Sequence, residues 1–222
     1  MERRNAGDTL LGFYDDLDAA FGPQHWWPGE TRDEVIIGAV LTQNTAWRNV
    51  ELAIGRLRSA NALTLRAIRE CHEADLSEMV KPAGTYRVKA KRLKALVSWV
   101  FERCDGNLDA LFAEDDDGLR AGLLGVPGVG PETADAIMLY AGSIPTFVVD
   151  AYTVRVLRRH FVVDEAARYA DVQALFHRNL DRDAAVFGQY HALFVELGKR
   201  YCKPRADCDG CPLRDWPHDA TL

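Results

Sequence analysis

Three short segments carry side chains whose types and spacing suit chemistry. The first, Thr146-Phe147-Val148-Val149-Asp150-Ala151-Tyr152-Thr153, sets one carboxylate directly after an apolar run. Aspartate is a preferred N-cap, so Asp150 reads as the start of a helix beginning near Ala151. A carboxylate beside an apolar wall is also a candidate catalytic base or electrostatic stabiliser, and the two readings can hold together. The second segment, Leu124-Gly125-Val126-Pro127-Gly128-Val129-Gly130-Pro131-Glu132-Thr133-Ala134, is a glycine turn between two expected helices. It is either a plain connection or an anion site, in which Gly128 and Gly130 adopt backbone conformations closed to other residues and expose amides at a helix N-terminus. The third is the tail Cys202, Cys208 and Cys211, a C-x5-C-x2-C run. In a reducing compartment that pattern suits a soft metal or an iron–sulfur site better than a disulfide. Cys71 and Cys104 stand alone on expected helices and read as small buried hydrophobes.

The elements that must position these residues read as helices almost throughout, because apolar residues recur at three- and four-residue intervals and no segment alternates strictly. Thr31-Arg32-Asp33-Glu34 has the form of a capping box opening the run Val35, Ile36, Ala39, Val40. A second helix follows from Trp47 through Leu57, and a shorter one carries Leu76, Met79 and Val80 until Pro82-Ala83-Gly84 ends it. A basic helix runs from about Tyr86 to Phe101. After the acidic loop Glu114–Asp117 comes a short helix with Leu119 and Leu123. Pro131 sits at the first position of the next helix, where its missing N–H costs nothing, and Gly142 ends that helix. Stretches at roughly 151–160, 169–179 and 184–201 lead into the cysteine loop.

The chain has 222 residues, 27 basic and 33 acidic, a formal charge of −6, and 48% apolar residues with 9 Pro and 17 Gly. This is globular composition, which excludes disorder and collagen-like repeats. No apolar run approaches the roughly 20 residues needed to span a bilayer. Met1-Glu2-Arg3-Arg4-Asn5 leads into Asp8 and Asp15 rather than an apolar signal core, so a cytoplasmic protein with no membrane association is expected. Net acidity alone argues against a polyanion as partner. The charge is uneven, however: residues 81–103 carry seven basic side chains and one acidic, while 1–80 carry 8 and 13 and 104–120 carry 1 and 6. The stripe Lys81, Arg87, Lys89, Lys91, Arg92, Lys94 and Arg103 reads either as a solvated helix face or as a phosphate-contacting patch.

Taken together, the turn Val126-Pro127-Gly128-Val129-Gly130, the Val149-Asp150 pair twenty residues on, Leu41-Thr42-Gln43-Asn44-Thr45 and the cysteine tail resemble the helix-hairpin-helix (HhH-GPD) DNA glycosylases of the endonuclease III superfamily. The resemblance runs in order from about residue 23 to 213. It implies an all-α fold of two helical domains flanking a DNA-binding cleft: a six-helix domain at 30–146 containing the hairpin, and a second domain formed by 1–29 plus 147–222 with a C-terminal iron–sulfur cluster loop. It implies base excision repair of double-stranded DNA carrying a damaged base, by flipping the base out and hydrolysing its N-glycosidic bond, in a monomeric protein. The hairpin amides around Gly128 and Gly130, with a monovalent cation, would hold a DNA phosphate; Asp150 would help expel the base; Gln43 would fill the gap left in the duplex. The chemistry is consistent, since a target base must leave the stack and a fixed carboxylate stabilises the positive charge that develops on the sugar. With the resemblance in view, the basic stripe reads as facing the damaged strand, and the low net charge predicts weak non-specific binding with strong salt dependence.

Departures from the family pattern sharpen these expectations. Bifunctional members carry a lysine nucleophile where this chain has Glu132, and an acid cannot form the Schiff base, so AP-lyase activity is expected to be weak or absent. Gln24-His25-Trp26-Trp27-Pro28 and Trp47 are similar to the 3-methyladenine branch, in which aromatic walls bind alkylated purines; Trp26, Trp27, Pro28, Trp47 and Tyr152 are the expected base pocket, against the alternative that the tryptophans are packing anchors. His191 reads as a structural histidine. The fourth cysteine position of a [4Fe–4S] loop falls on Pro217, leaving Cys202, Cys208 and Cys211 with His218 as the expected replacement ligand. Thr85 stands where relatives place an apolar wedge, and Tyr86 or Arg87 would take over, with Lys89 completing the DNA-contacting set. The alternatives to an alkylpurine enzyme are an endonuclease III-like glycosylase for oxidised pyrimidines or mismatches, and a lesion-binding protein with little catalysis.

Overall fold

The computed structural model describes residues 5–222, so the reading of Met1-Glu2-Arg3-Arg4 lies outside the described residues. Twelve α-helices and no strand occur among the described residues. No helix among them is long and apolar enough to cross a membrane. The helices fall into two compact units: one comprises the chain up to Trp26 together with Pro145–Leu222, the other Trp27–Ile144.

The unit Trp27–Ile144 holds α2 (Arg32–Leu41), α3 (Trp47–Ser59), α4 (Leu65–Glu70), α5 (Glu73–Met79), α6 (Tyr86–Cys104), α7 (Leu108–Phe112), α8 (Asp116–Gly125) and α9 (Pro131–Ala136). The resemblance implies a six-helix domain over 30–146; this unit has eight α-helices, two of which, Leu65–Glu70 and Leu108–Phe112, are short. Helix α6 is the spine, packing against α2, α4, α5 and α7. Its Ala90, Leu93, Leu96, Val97 and Val100 are buried at helical spacing. The expected capping box is half present. Thr31 Oγ1 accepts from the Glu34 amide at 3.2 Å, but the Glu34 carboxylate is drawn to Arg58, with two contacts of 3.0 Å. A buried carboxylate gains more from a guanidinium than from one amide.

Helices α8 and α9 form the hairpin. Val126 and Val129 are buried beneath the turn, and the Val129 amide closes it on the Val126 carbonyl at 3.0 Å. Helix α9 runs on into a π-helical turn, Ile137–Ala141, before Gly142. The two arms are joined by Arg120, which donates to both oxygens of Asp135 at 2.7 and 3.0 Å; Asp135 is fully buried.

The other unit holds α1 (Ala6–Phe21), α10 (Ala151–Arg159), α11 (Tyr169–Asn179) and α12 (Ala184–Arg200). Helix α12 packs on α1 and α10 around an aromatic core of Phe13, Phe147, Phe176, Phe187, Tyr190 and Phe194. Tyr190 is fully buried and satisfies its hydroxyl on the Leu10 carbonyl at 2.7 Å. Cys71 and Cys104 are half-buried rather than core; each sits at a helix end with its thiol directed to a nearby backbone carbonyl, of His72 and Val100 respectively.

Removing Arg120 takes away the guanidinium that faces the fully buried Asp135 carboxylate. Arg120→Met is expected to lower the unfolding free energy by roughly 3 kcal/mol in urea titrations, and Arg120→Met/Asp135→Leu to recover most of that loss.

Candidate functional site

Asp150 caps α10. Its Oδ1 accepts from the Thr153 amide at 2.7 Å and from Thr153 Oγ1 at 2.8 Å, while Oδ2 faces His191 Nε2 of α12 at 3.6 Å. Burial pushes the carboxyl pKa up, but His191 and the two Thr153 bonds outweigh it, so the group is held below the usual aspartate value and stays ionised. Thr153 and His191 were not singled out as site residues from sequence. The Asp-x-x-Thr spacing was a signal for the first; His191, on a helix face that is otherwise apolar, gave none that separates it from a packed histidine.

In the hairpin, Gly128 has φ +87° and needs to be glycine, whereas Gly130 is extended (φ −96°, ψ 178°) and open to any residue. The expectation of a special conformation at Gly130 is therefore corrected; a Cβ there would meet nothing within 4 Å. Glu132 is exposed in the first turn of α9. Gln43 reaches the same turn, donating from Nε2 to the Gly128 carbonyl at 3.0 Å and to Thr133 Oγ1 at 2.9 Å, and its Oε1 accepts from Arg92.

The basic stripe is mostly engaged within the protein. Lys89, expected at the DNA surface, is 1% exposed and donates to the carbonyls of Leu41 (2.9 Å) and Ala83 (2.6 Å). Burial, with Arg92 adding to it, pushes its pKa down to about 8. Lys94 closes the end of α4 on the carbonyls of Ile68, Arg69 and Cys71. Arg103 pairs with Glu114, and Lys81 with Glu78. Arg87 and Lys91 are exposed, and the cations of Lys81 and Arg87 each lie over the Tyr86 ring, 5.5 and 5.6 Å from its centroid. Thr85 is exposed at φ +38°, a left-handed conformation that is strained for a β-branched residue, directly after Gly84 at φ +70°.

Trp27, Pro28 and Trp47 surround one cavity of about 200 Å³, together with Glu30, Glu34, Gly38, Glu51, Ile54 and Arg58. The Trp27 ring packs edge-on to Trp47 (centroids 5.3 Å apart) and against Tyr140, and it lies over Gly38, where a Cβ would approach its Nε1 to 3.2 Å. Trp47 Nε1 donates to Glu51 at 3.0 Å. Trp26 and Tyr152 belong to the other unit: Trp26 lies under the Lys199 ammonium, and Tyr152 packs into the space left by Gly198.

Cys202, Cys208, Cys211 and His218 line one small cavity with His160 and Arg159. Among the described residues no three His, Cys, Asp or Glu side chains form a group that would hold a single metal ion. A cluster, by contrast, spreads its ligands over separate irons, and the donor set of three thiols and one imidazole fits an iron–sulfur cluster in kind. Arg159, 4% exposed, donates to Cys202 Sγ at 3.3 Å and to the carbonyls of Lys203 and Pro204, fastening the loop to α10.

The profile of the HhH-GPD superfamily, base excision DNA repair proteins, matches residues 37–182. The chain belongs to that superfamily. The Methanocaldococcus jannaschii protein MJ1434, named as a DNA repair glycosylase, is 43% identical over 96% of this chain and 98% of its own length. Endonuclease III of Thermotoga maritima is 29% identical over 82% of this chain and 80% of its own. Among solved structures, Helicobacter pylori 3-methyladenine DNA glycosylase bound to 1,N6-ethenoadenine is similar with a TM-score of 0.76 and 27% identity, covering 88% of this chain and 98% of that one. A non-covalent endonuclease III–DNA complex shares the fold with a TM-score of 0.82 at 20% identity, over 99% and 97% of the two chains. The HhH-GPD assignment makes this chain one of the DNA glycosylases of base excision repair, and the hairpin α8–α9 and Asp150 are the parts of it that chemistry must explain.

His191 and Thr153 together offset the burial of Asp150, so removing His191 leaves the desolvation only partly compensated and raises the carboxyl pKa. In His191→Asn the acid limb of the pH–rate profile for base release is expected to move to higher pH, while Thr153→Val moves it the same way by less. Unchanged profiles would separate the pair electrostatically.

Proposed function

We propose that this HhH-GPD protein is a monofunctional glycosylase for alkylated, positively charged purines in double-stranded DNA. The observation that carries the reading is the cavity beside Trp27 and Trp47. Its walls are electron-rich rings, and three carboxylates (Glu30, Glu34, Glu51) share it with one guanidinium (Arg58). A cationic base gains cation–π and ion–ion attraction here in addition to stacking, whereas a neutral oxidised pyrimidine lacks those two contributions. The likeness to a 3-methyladenine enzyme supports the same class.

In this reading Asp150 acts as a fixed anion. As the N-glycosidic bond breaks, its electron pair leaves with the alkylated base, which departs neutral. The positive charge left on the sugar is stabilised by the carboxylate, which also orients the water that attacks the anomeric carbon; that water keeps one O–H as the new hydroxyl and passes its other proton to solvent. An abasic site remains. Glu132 supplies no amine, so the strand stays uncut. The hairpin amides with a monovalent cation would hold the phosphate, and Thr85, Tyr86 and Arg87 would press on the damaged strand. Cys202, Cys208, Cys211 and His218 would hold a [4Fe–4S] cluster that fixes the C-terminal loop.

Two experiments test this. Duplexes bearing 3-methyladenine, thymine glycol or a G·T mismatch are incubated with wild type and Asp150→Asn, and abasic sites are revealed with alkali. Release of 3-methyladenine, reduced about 10²–10³-fold in the variant, and no adduct after borohydride are expected. Preference for thymine glycol, efficient β-elimination, or binding without release would each refute the assignment. For the cluster, protein purified without oxygen is expected to absorb broadly near 400 nm and Cys208→Ala to lose that band; a featureless wild-type spectrum counts against it.

A further inference from the structure

We infer that Arg92 is a latch that holds Gln43 against the hairpin in the free protein and lets go when a DNA phosphate takes the guanidinium. This rests on the reading that Gln43 and the hairpin meet DNA. The Gln43 amide makes three of its four possible hydrogen bonds: both Nε2 hydrogens are donated, to the Gly128 carbonyl and Thr133 Oγ1, and Oε1 accepts from Arg92 Nη1. A side chain so bound cannot also enter a duplex; at least part of this set must break first.

Of the three partners, only Arg92 carries a charge that an arriving phosphate attracts. A guanidinium binds phosphate in a charge-assisted, two-pronged geometry that a neutral amide oxygen cannot match. Arg92 is also placed for that exchange. Its side chain crosses the hairpin turn in the space where Gly128 lacks a Cβ: Cγ, Cδ and Nε lie 2.4–2.6 Å from an ideal Cβ there. Gly128 is therefore constrained twice, by its positive φ and by the passage of Arg92. The loop that carries Gln43 is itself pinned at its base, because Lys89, one turn before Arg92 on α6, holds the Leu41 carbonyl. Release of Arg92 removes the one charge-assisted bond to the Gln43 amide and leaves the two neutral bonds from Nε2. The side chain is then held less firmly while its backbone stays pinned, and the contact that senses the phosphate is coupled to the group that fills the gap through one hydrogen bond.

The test uses the full chain and a duplex carrying a tetrahydrofuran abasic analogue, with circular dichroism to show that variants fold. In the free wild type the Gln43 side-chain amide pair in 15N spectra should lie away from the solvent-exposed position and move to a new one when duplex is added. In Arg92→Ala it should already be displaced from the wild-type position, toward the solvent-exposed one, before DNA is present, and the slope of log Kobs against log salt should fall by about 0.9, one phosphate contact. Arg92→Lys should keep the slope and still loosen the amide. An unmoved Gln43 amide in Arg92→Ala, or an unchanged salt slope, overturns the latch. Gln43→Ala separates the underlying reading: if it prefers the abasic duplex over intact duplex as strongly as wild type, Gln43 does not fill the gap, whatever the Arg92 variants show.

Discussion

An α-helix leaves its first four amides and last four carbonyls without partners, and a chain built almost wholly of helices must satisfy those groups with side chains. The candidate site is made of the answers to that requirement. Asp150 caps α10 and is thereby fixed with one oxygen bound and the other directed at His191. Lys89 satisfies the last carbonyl of α2 and that of Ala83, which fixes the loops bearing Gln43 and Thr85 to one helix. Arg159, on the last turn of α10, does the same for the backbone around Cys202. Asp150 looks like chemistry in the sequence and is first a helix cap, whereas Lys89 lies within α6 and Arg159 holds carbonyls of the loop that follows α12.

The same requirement changes the meaning of charge. Counting along the chain gives a stripe of seven cations between 81 and 103. Lys89 and Lys94 are directed at carbonyls, Arg103 and Lys81 at carboxylates, and Arg92 at Gln43. Arg87 and Lys91 remain as exposed cations. The accessible positive charge is therefore smaller than composition suggests, because Lys81 and Arg103 are paired with carboxylates and Lys89 is buried.

Carboxylates are used in two ways. In the Trp27–Trp47 cavity Glu30, Glu34 and Glu51 share the lining with one arginine, Arg58, so carboxylates outnumber cations there. At Asp150 burial works against the charged form and specific partners restore it, so a single anion is maintained where it is not shielded by water.

Local order was legible because it depends on neighbours in sequence: the helix starts at Tyr86, Pro131 and Ala151, the cap at Asp150, and the family motifs Val126–Gly130 and Val149-Asp150 all follow from short-range stereochemistry and spacing. What needed the tertiary structure is every feature that joins residues far apart. His191 reaches Asp150 across 41 positions, Gln43 reaches Gly128 across 85, and Lys89 reaches Leu41 across 48. A periodic pattern shows that a helix has a buried face but not which polar residue on that face is aimed at which partner. That choice is made by the packing of one helix on another, where the cost of an unsatisfied buried group exceeds any preference written into the local sequence.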